Sequence, residues 1–384
     1  MWTCCQLGAR EHYAVPRALQ LKGLLGEFIT DRWVPRTGRF HPALARAQVT
    51  APNVGALRFE LKAYATRATG WQLITERNDW FQRRAVDQLK RQPSNGTHTV
   101  FAYSYAAEQI FAFARERGWR TVLGQIDPGP AEERIVADVH ASSGQNHWKP
   151  APPEYWSQWR SECSLADEII VNSAWSKDAL LSEGVPASKI RVMPLAYEPS
   201  ARSKSFQRDY PSAFNRERPL RVLFLGQINL RKGAAQLLDA IKLLEGENIE
   251  FWFVGPVQIQ VPAEFKQHPQ VKWLGVVPRT DVDRYYKEAD VFIFPTLSDG
   301  FGLTQLEAQS WRLPVIASRH CGEVVSDGVN GRLLDNVSPR TIADSLSDFL
   351  RSPRKLSALS AQSGVEPRFS LETLAASLAG KCNR

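Results

Sequence analysis

The stretch "LRVLFLGQINLRKGAAQLLDAIKLLE", residues 220–245, decides the fold of this chain. Its first part, residues 220–228, is an apolar run with the length of a buried strand. Residues 232–245 then repeat apolar side chains at the spacing of an amphipathic helix, with Arg231 and Lys232 at the junction. A strand that leads directly into a helix is the repeating unit of a parallel sheet.

The same unit recurs along the chain. In the second half, apolar runs predict further strands at 249–256, 271–278, 290–296 and 313–318. The segments between these strands predict helices at 263–268, 281–289 and 302–311. In the first half, strands are predicted at 2–8, 99–105, 120–126, 168–173 and 189–196, with a helix at 174–184. The pattern predicts two doubly wound α/β domains facing across a cleft, residues 1–198 and 219–384. Residues 199–218 are polar and aperiodic and predict a linker, and we expect the last helical segment to pack back on the first domain.

Bulk composition supports two globular domains. The chain has 384 residues, too many for one ordinary core, and 43% of them are apolar. No apolar run is long enough for a membrane span, and the N-terminus lacks the pattern of a signal peptide. The five cysteines show no paired spacing, which predicts a reducing, cytoplasmic location; they are Cys4, Cys5, Cys163, Cys321 and Cys382.

Positive charge is concentrated in the first third of the chain. Residues 1–120 contain 18 Lys+Arg and 9 Asp+Glu, whereas the whole chain has a net charge of +8. Residues 55–92 look helical, aromatic and basic, which favours docking on the anionic inner face of a membrane. A solvated arginine-rich surface is the alternative. We expect no nucleic acid partner, because the basic stretch contains no nucleic-acid-binding motif.

An acid, two glycines and a second acid follow the strand at 290–296. Gly300 and Gly302 would let the backbone come close to a ligand, and the helix that starts near Gly302 offers an anion site at its N-terminus. Glu307 could accept hydrogen bonds from the vicinal hydroxyls of a ribose, and Asp299 from a group beyond the phosphates. The alternative is a capped turn whose acids face solvent.

Arg231 and Lys232 stand where the 220–228 strand gives way to its helix. Two cations at this position could neutralise a diphosphate and stabilise it as a leaving group. Because Lys-Gly is common at helix starts, Arg231 and Lys232 alone are weak evidence for a diphosphate site. The evidence becomes stronger because the Asp299 loop belongs to the same predicted sheet.

These motifs resemble a known family. The segments "FLGQINLRKG", "VKWLGVVP", "SDGFGLTQLEAQSWRLPVIAS" and "GEVVSDGVNGRLL" are similar to the carboxyl-terminal domain of family 4 retaining glycosyltransferases of the GT-B fold. The resemblance is close over residues 219–335 and weaker in the first half, where residues 166–199 also fit. It implies two Rossmann-like domains, with the acceptor on the first and a nucleotide-sugar on the second.

The resemblance also assigns roles to residues. The paired acids of the family fall on Asp299, which would bind hydroxyls of the donor sugar, and Glu307, which would bind the ribose. Lys232 matches the lysine on the donor diphosphate. The expected donor-binding residues are Gly8, Gly226, Gln227, Lys232, Val277, Gly300, Phe301, Gly302, Leu303, Thr304 and Glu307. No metal or other cofactor is expected.

Three positions depart from the family pattern. The first acid is Asp299 where the family more often has Glu, and Gln227 stands in place of an arginine. Asp127, in "LGQIDPG", replaces a histidine near the donor sugar, although Asp-Pro-Gly is also a turn signal. The expected catalytic residues are Asp299, Glu307, Lys232, Arg231 and Asp127.

Other candidates remain open. Gly8 could pass close to the donor phosphates, and Arg10 and His12 could touch donor or acceptor, although His12 is more typical of a surface histidine. The acids of "DVD" at 281–283 are expected to cap a helix rather than to bind metal. Glu323 could contact the sugar or cap a short helix.

The sequence thus predicts a metal-independent retaining glycosyltransferase, peripheral on the inner face of the membrane. It would move a hexose-type sugar from a UDP- or GDP-linked donor to a glycan or lipid-linked acceptor in surface polysaccharide or glycolipid biosynthesis. A nucleotide-sugar epimerase or hydrolase of the same fold is one alternative, and a non-catalytic nucleotide-sugar-binding subunit is another.

Overall fold

The computed structural model describes residues 1–34, 40–93, 97–145 and 148–380, so Cys382 lies outside the described residues. Within these ranges the chain forms two parallel β-sheets, each covered by helices on both faces. The α/β architecture with two doubly wound, Rossmann-like domains is therefore confirmed.

The first sheet has seven parallel strands in the order β3-β2-β1-β4-β5-β6-β7. They are β1 (Trp2–Gln6), β2 (Leu25–Thr30), β3 (Val49–Thr50), β4 (Thr99–Tyr103), β5 (Arg120–Gln125), β6 (Glu168–Val171) and β7 (Ile190–Val192). The central strands β1 and β4 are buried along their whole length, as expected for strands covered on both faces. Strand order reverses between β1 and β4, which opens a crevice at their carboxyl ends.

Seven α-helices accompany this sheet in the described ranges. They are α1 (Ala14–Leu21), α2 (Asn53–Ala65), α3 (Gly70–Leu89), α4 (Glu108–Glu116), α5 (Pro130–Ser143), α6 (Pro153–Leu165) and α7 (Ala174–Ser182). The basic region predicted as helical over 55–92 is two helices, because the chain turns between Thr66 and Thr69. The Thr66 hydroxyl donates to Lys62 O at 3.0 Å and Arg67 has φ 53°, which together end α2.

The second sheet has six parallel strands in the order β10-β9-β8-β11-β12-β13. They are β8 (Leu220–Leu225), β9 (Ile249–Val254), β10 (Val271–Gly275), β11 (Val291–Phe294), β12 (Val315–Ala317) and β13 (Gly331–Leu333). The helices of the second half are α8 (Ala201–Lys204), α9 (Ala234–Leu243), α10 (Val282–Glu288), α11 (Leu303–Ser310), α12 (Pro339–Arg351), α13 (Pro353–Gln362) and α14 (Leu371–Ala379). The helix predicted at 263–268 is only a 3₁₀ turn, Ala263–Phe265.

Helix α14 leaves the second domain and packs on the first. Its apolar side chains Leu371, Leu374 and Leu378 are buried in one cluster with Ala18 and Leu19 of α1. The two domains are therefore tied together by the C-terminal helix as well as by the connection between β7 and β8.

The segment 199–218, predicted as a linker, packs firmly on the second domain. Arg208 donates to the carbonyl oxygens of Tyr286, at 2.6 Å, and Trp311, at 3.0 Å. Arg218 forms an ion pair with Asp290, which is only 1% exposed. The polar residues that made this segment look like a linker thus satisfy buried acceptors of the domain that follows it.

No helix within the described ranges is long and apolar enough to cross a membrane.

Candidate active site

The candidate residues meet where the carboxyl ends of the strands of the second sheet face the first domain. Gly226 follows β8 and the loop containing Asp299 follows β11, and these two strands are neighbours in the sheet. The strand order reverses here, which is where ligands bind in open α/β sheets. From the first domain, Asp127 follows β5 and approaches the same loop.

The centre of this site is an ion pair between Lys232 Nζ and Asp299 Oδ2. Burial lowers the pKa of Lys232 to about 7; the neighbouring Arg231 charge acts in the same direction and Glu132 in the opposite one. Arg231 donates to Ser298 O at 2.8 Å and forms an ion pair at 3.3 Å with Glu132 of the first domain. The structure therefore brings Arg231, Lys232 and Asp299 together.

Local backbone geometry aims Lys232 at the acid. Asn229 accepts a hydrogen bond from Lys232 N at 3.0 Å, which caps a 3₁₀ turn before α9. Gly233 follows with φ 76°, and a Cβ there would lie 2.0 Å from Pro295 O. Only glycine lets this turn pack so closely on the chain that leaves β11.

The glycines of the Asp299 loop allow close packing around the site. A Cβ on Gly300 would lie 2.1 Å from Ile126 O of the first domain, so glycine at this position permits close contact between the two domains. Gly302 has φ 82° and packs against the ring of Phe294. It is the residue immediately before α11 and caps the N-terminus of that helix. The Phe301 side chain, expected at the donor, is instead buried in a hydrophobic cluster.

Glu307 lines a cavity of about 650 Å³ between the two domains. Its carboxylate accepts a hydrogen bond from Tyr286 OH at 2.8 Å. Burial raises the pKa of Glu307, whereas the Tyr286 hydrogen bond and the Arg279 charge oppose this shift. The two paired acids thus face different spaces, Asp299 toward Lys232 and Glu307 toward the large cavity.

The first domain closes this cavity with an unusual turn after β1. Glu11, His12 and Tyr13 have φ values of 51°, 54° and 60°, a left-handed conformation that costs energy for residues other than glycine. His12 stacks on Phe40 with ring centroids 4.3 Å apart and contacts Arg279 of the second domain. His12 thus sits on the Glu307 side of the cleft.

Glu11 is a site residue that sequence reasoning missed. It lines the same cavity as Glu307 and accepts a hydrogen bond from Tyr103 OH at 2.9 Å. Burial raises the pKa of Glu11 to about 7, against the Tyr103 hydrogen bond and the Arg10 charge. The sequence motifs do not identify Glu11, because its burial results from packing against Tyr103 of β4, which is far away in the chain.

Asp127 is both a turn former and a cleft residue. Its carboxylate accepts hydrogen bonds from Gly129 N at 2.9 Å and from Tyr105 OH, which fixes the turn after β5. It also lines a second interdomain cavity, of about 420 Å³, and its backbone packs against Gly300. The two readings of this residue are thus compatible.

The remaining donor candidates are spread around these spaces. Gly226, Gln227 and Thr304 line a small pocket of about 200 Å³ with Arg231 and Lys232. Leu303, the first residue of α11, packs partly buried against the cluster that contains Phe301.

Gly8, Arg10 and Val277 lie near the edges of the site. Gly8 donates its N–H to Asp31 at 2.8 Å, and Arg10 is exposed. Val277, just after β10, is half-buried against the hydrophobic cluster on one face of the second sheet. Glu323 accepts from Ala174 N at 2.8 Å and so caps α7 of the other domain.

Metal ligands are not assembled in the described part of the chain, where no group of three or more His, Cys, Asp or Glu side chains could hold an ion. Asp281 and Asp283 of the "DVD" sequence lie at the N-terminal end of α10.

Part of the chain is similar in sequence to known proteins. Residues 206–363 match the family described as glycosyl transferases group 1. The chain is 28% identical to an uncharacterized 41.2 kDa protein in the cps region of Klebsiella pneumoniae and 27% identical to the amylovoran biosynthesis glycosyltransferase AmsK of Erwinia amylovora. These matches cover 44% and 43% of this chain and 48% and 42% of the relatives, so the chain spans about half the length of either relative or less.

The whole chain is similar in structure to HepE of Anabaena. The structure of HepE in complex with UDP superposes with a TM-score of 0.63 over 99% of both chains, at 16% identity. HepE in complex with UDP-glucose superposes with a TM-score of 0.62 over 100% of this chain and 99% of HepE, at 15% identity. The sequence match therefore lies within the second half of the chain, whereas the similarity of fold extends over both domains.

Proposed function

We propose that this protein is a retaining, family 4 glycosyltransferase that transfers a hexose-type sugar from a nucleoside-diphosphate sugar without a metal ion. The observation that carries the proposal is the Lys232–Asp299 ion pair at the carboxyl end of the second sheet, next to the cavity that holds Glu307. Lys232 and Arg231 line a small pocket of about 200 Å³, and Glu307 lines the cavity of about 650 Å³. Thr304 of the small pocket and Glu307 are three positions apart on α11, so the two spaces lie on either side of this helix turn.

The nucleoside would occupy the cavity of about 650 Å³. Glu307 is oriented by Tyr286 OH through one carboxylate oxygen, Oε2, and can accept the ribose hydroxyls through the other. A UDP-linked donor is our first choice, because HepE has been solved with UDP and with UDP-glucose.

The diphosphate would lie at the small pocket lined by Lys232 and Thr304. Thr304 is in the first turn of α11, where backbone N–H groups and the helix dipole favour an anion. Gln227, which replaces the family arginine, can donate a hydrogen bond here but carries no charge, so Lys232 and Arg231 supply the positive charge.

In the transfer step, the bond between the anomeric carbon and the diphosphate oxygen breaks and a bond to the acceptor oxygen forms on the same face of the sugar. The acceptor proton passes to the departing phosphate oxygen. Lys232 and the start of α11 stabilise the charge that develops on the diphosphate. Asp299 would position the sugar hydroxyls once the diphosphate draws Lys232 away from it. Interdomain contacts such as Arg231–Glu132 keep water out of the reaction.

We further propose that the enzyme works in surface polysaccharide or glycolipid biosynthesis in the cytoplasm, at the inner face of the membrane. Two sequence relatives belong to a cps region and to amylovoran biosynthesis. Helix α2 supplies the membrane contact, since Val54, Leu57, Leu61 and Tyr64 share one face of the helix and are 60–87% exposed. Arg58 and Lys62 flank this stripe and would pair with anionic lipid headgroups.

The proposal is tested by measuring UDP release from UDP-sugars with and without membrane extract as acceptor source. Lys232→Ala and Glu307→Ala should lower transfer about 10²–10³-fold, because each removes one preorganised contact to the donor, while the circular dichroism spectrum is retained. Glu264→Ala, an exposed acid of the same domain, serves as the matched control. Full activity in either site variant would overturn the site assignment, and equal UDP release with and without acceptor would favour the hydrolase alternative.

A further inference from the structure

The second interdomain cavity, of about 420 Å³, is not used by the donor in the proposed function. One wall of this cavity consists mainly of aromatic side chains of the first domain. The other wall consists mainly of polar side chains of the second domain. The aromatic wall comprises Trp71, Tyr105, Trp148, Tyr155 and Trp156, and the opposite wall comprises Gln227, Asn229, Arg231 and Gln258. Three carboxylates, from Asp127, Glu132 and Glu133, complete the lining.

The aromatic wall is held in place by its own contacts. Tyr105 and Tyr155 stack with centroids 4.7 Å apart and an interplanar angle of 18°, and Trp71 leans on Tyr155 with centroids 4.9 Å apart. The indole N–H of Trp71 donates to Lys149 O at 3.1 Å, and that of Trp156 donates to Glu133. The ring faces, which carry partial negative charge, therefore form a fixed surface suited to the C–H groups of a sugar ring.

The polar lining favours a neutral, hydroxyl-bearing ligand. Carboxylates accept hydrogen bonds from hydroxyl groups and repel phosphate. Among the described lining residues, the permanent positive charge is that of Arg231, which is already paired with Glu132 at 3.3 Å. A sugar residue without a phosphate or carboxylate fits these charges, whereas a sugar phosphate does not.

This cavity adjoins the donor pocket. Gln227 and Arg231 line both the aromatic cavity and the small pocket around Lys232. On the first domain, Asp127 lies against the Asp299 loop, since a Cβ on Gly300 would be 3.2 Å from Asp127 Cα. A hydroxyl of a sugar in the aromatic cavity would therefore be next to the space expected for the donor sugar.

We propose that the aromatic cavity is the acceptor subsite and that it takes an uncharged sugar residue. The sugar would pack in the corner between the nearly perpendicular rings of Tyr155 and Trp156, with hydroxyls bound by Asp127 and Glu132. The proposal rests on the proposed glycosyltransferase function and adds the chemical class of its acceptor. It moves the acceptor away from His12, which lies at the Glu307 cavity instead, whereas the Arg10 charge acts on Tyr155 of the aromatic cavity. Any charged part of the acceptor, such as a lipid-linked diphosphate, would have to lie outside this cavity.

The test measures saturation-transfer NMR and tryptophan fluorescence with methyl glucoside, methyl galactoside and methyl N-acetylglucosaminide in the presence of UDP. Glucose 6-phosphate serves as the charged comparison. We expect at least one neutral glycoside to bind through its ring C–H groups and glucose 6-phosphate to bind about tenfold more weakly or not at all. Tyr155→Ala should weaken the neutral glycoside about tenfold, whereas Tyr285→Ala, a half-buried tyrosine outside the cavity, should not.

Trp71→Ala provides a second variant in case Tyr155→Ala fails to fold, because Trp71 lies in the first turn of α3 and is only half-buried. UDP-induced thermal stabilisation is measured in every variant and should be unchanged. If UDP stabilises the protein but no neutral glycoside binds, or if binding survives both cavity variants, the acceptor subsite is wrong and the proposed function stands. If neither UDP, GDP nor their sugars stabilise the wild-type protein, the proposed function itself fails.

Discussion

Lys232 and Asp299 form an ion pair that joins the cation expected at the donor diphosphate to the acid expected at the donor sugar. The two residues are 67 positions apart in the chain and meet because β8 and β11 are adjacent in the second sheet. In the ligand-free protein below about pH 7, where Lys232 is protonated, each residue thus satisfies the charge of the other. A diphosphate that binds Lys232 would release Asp299 to accept hydrogen bonds from the sugar.

Donor binding should weaken as pH rises through 7. Burial lowers the pKa of Lys232 to about 7, so the fraction of protonated lysine that can meet the diphosphate falls above this value. We expect the dissociation constant of UDP-glucose, measured by calorimetry from about pH 6 to about pH 9, to rise by up to about tenfold per pH unit above 7. UDP-glucose is the suitable probe because its diphosphate diester does not titrate in this range.

Lys232→Arg should flatten that profile, since a guanidinium stays charged throughout. A pH-independent affinity in the wild-type protein would show that Lys232 is not the titrating contact.

The lowered pKa of Lys232 also predicts that the free energy of unfolding of the ligand-free protein rises with pH between about 7 and 10.5, because the unfolded chain still holds the proton that the folded chain has released.

Gly300→Ala should separate donor binding from catalysis. The new Cβ would lie 2.1 Å from Ile126 O, and because this is a backbone atom the two domains must move apart. We expect transfer to fall at least about tenfold while UDP still raises the unfolding temperature, since the Lys232 and Glu307 contacts belong to the second domain. Small-angle scattering should show a larger radius of gyration.

Gly55→Ala is the matched control for this change, because its Cβ would meet the side chains of Trp80 and Pro52 at ordinary contact distances of 3.5 and 3.6 Å. If Gly300→Ala keeps full activity and the same radius of gyration, close contact of the two domains at this loop is not needed.

The exposed face of α2 should govern membrane binding. Leu57→Glu combined with Leu61→Glu replaces two leucines of the stripe, which are 61% and 60% exposed, by anions. Binding to vesicles of phosphatidylglycerol and phosphatidylcholine, measured by cosedimentation at low salt, should weaken about tenfold or more, because apolar insertion is lost and anionic headgroups repel the new charges.

Leu243→Glu places the same change on an exposed leucine of the second domain and should leave vesicle binding unaltered. Equal binding by all three proteins, or no binding by the wild type, would contradict α2 as the membrane contact.

Arg218→Ala should destabilise the second domain even though Arg218 lies in the segment predicted as a linker. The Arg218 guanidinium donates to both carboxylate oxygens of Asp290, at 2.7 and 2.6 Å, and removing it leaves a buried carboxylate without its ion-pair partner. We expect a loss of about 3 kcal/mol in the free energy of unfolding, measured by urea denaturation. Arg216→Ala, an exposed arginine of the same segment, should change it by less than about 0.5 kcal/mol.

Three strands escaped prediction for identifiable reasons. β3 has two residues and β13 has three, too few for a periodic signal. β2 contains Glu27, which interrupts its apolar run but is buried and accepts a hydrogen bond from Gln88 at 2.8 Å. In the sequence such a carboxylate appears as an exposed polar residue, because its hydrogen-bond partner comes from a different element. In the fold it is buried and hydrogen-bonded.

The sequence by itself determined the two parallel sheets, the position of the Asp299 loop and the basic turn that carries Lys232. Apolar periodicity and turn residues are local properties, so five of the six strands of the second sheet, all except β13, could be predicted from their own residues. Only the tertiary structure decided that Gly300 meets Ile126, that Glu11 shares a cavity with Glu307 and that aromatic residues line a second cavity. These contacts join residues of different elements or domains, and their burial and charge depend on how the two domains pack.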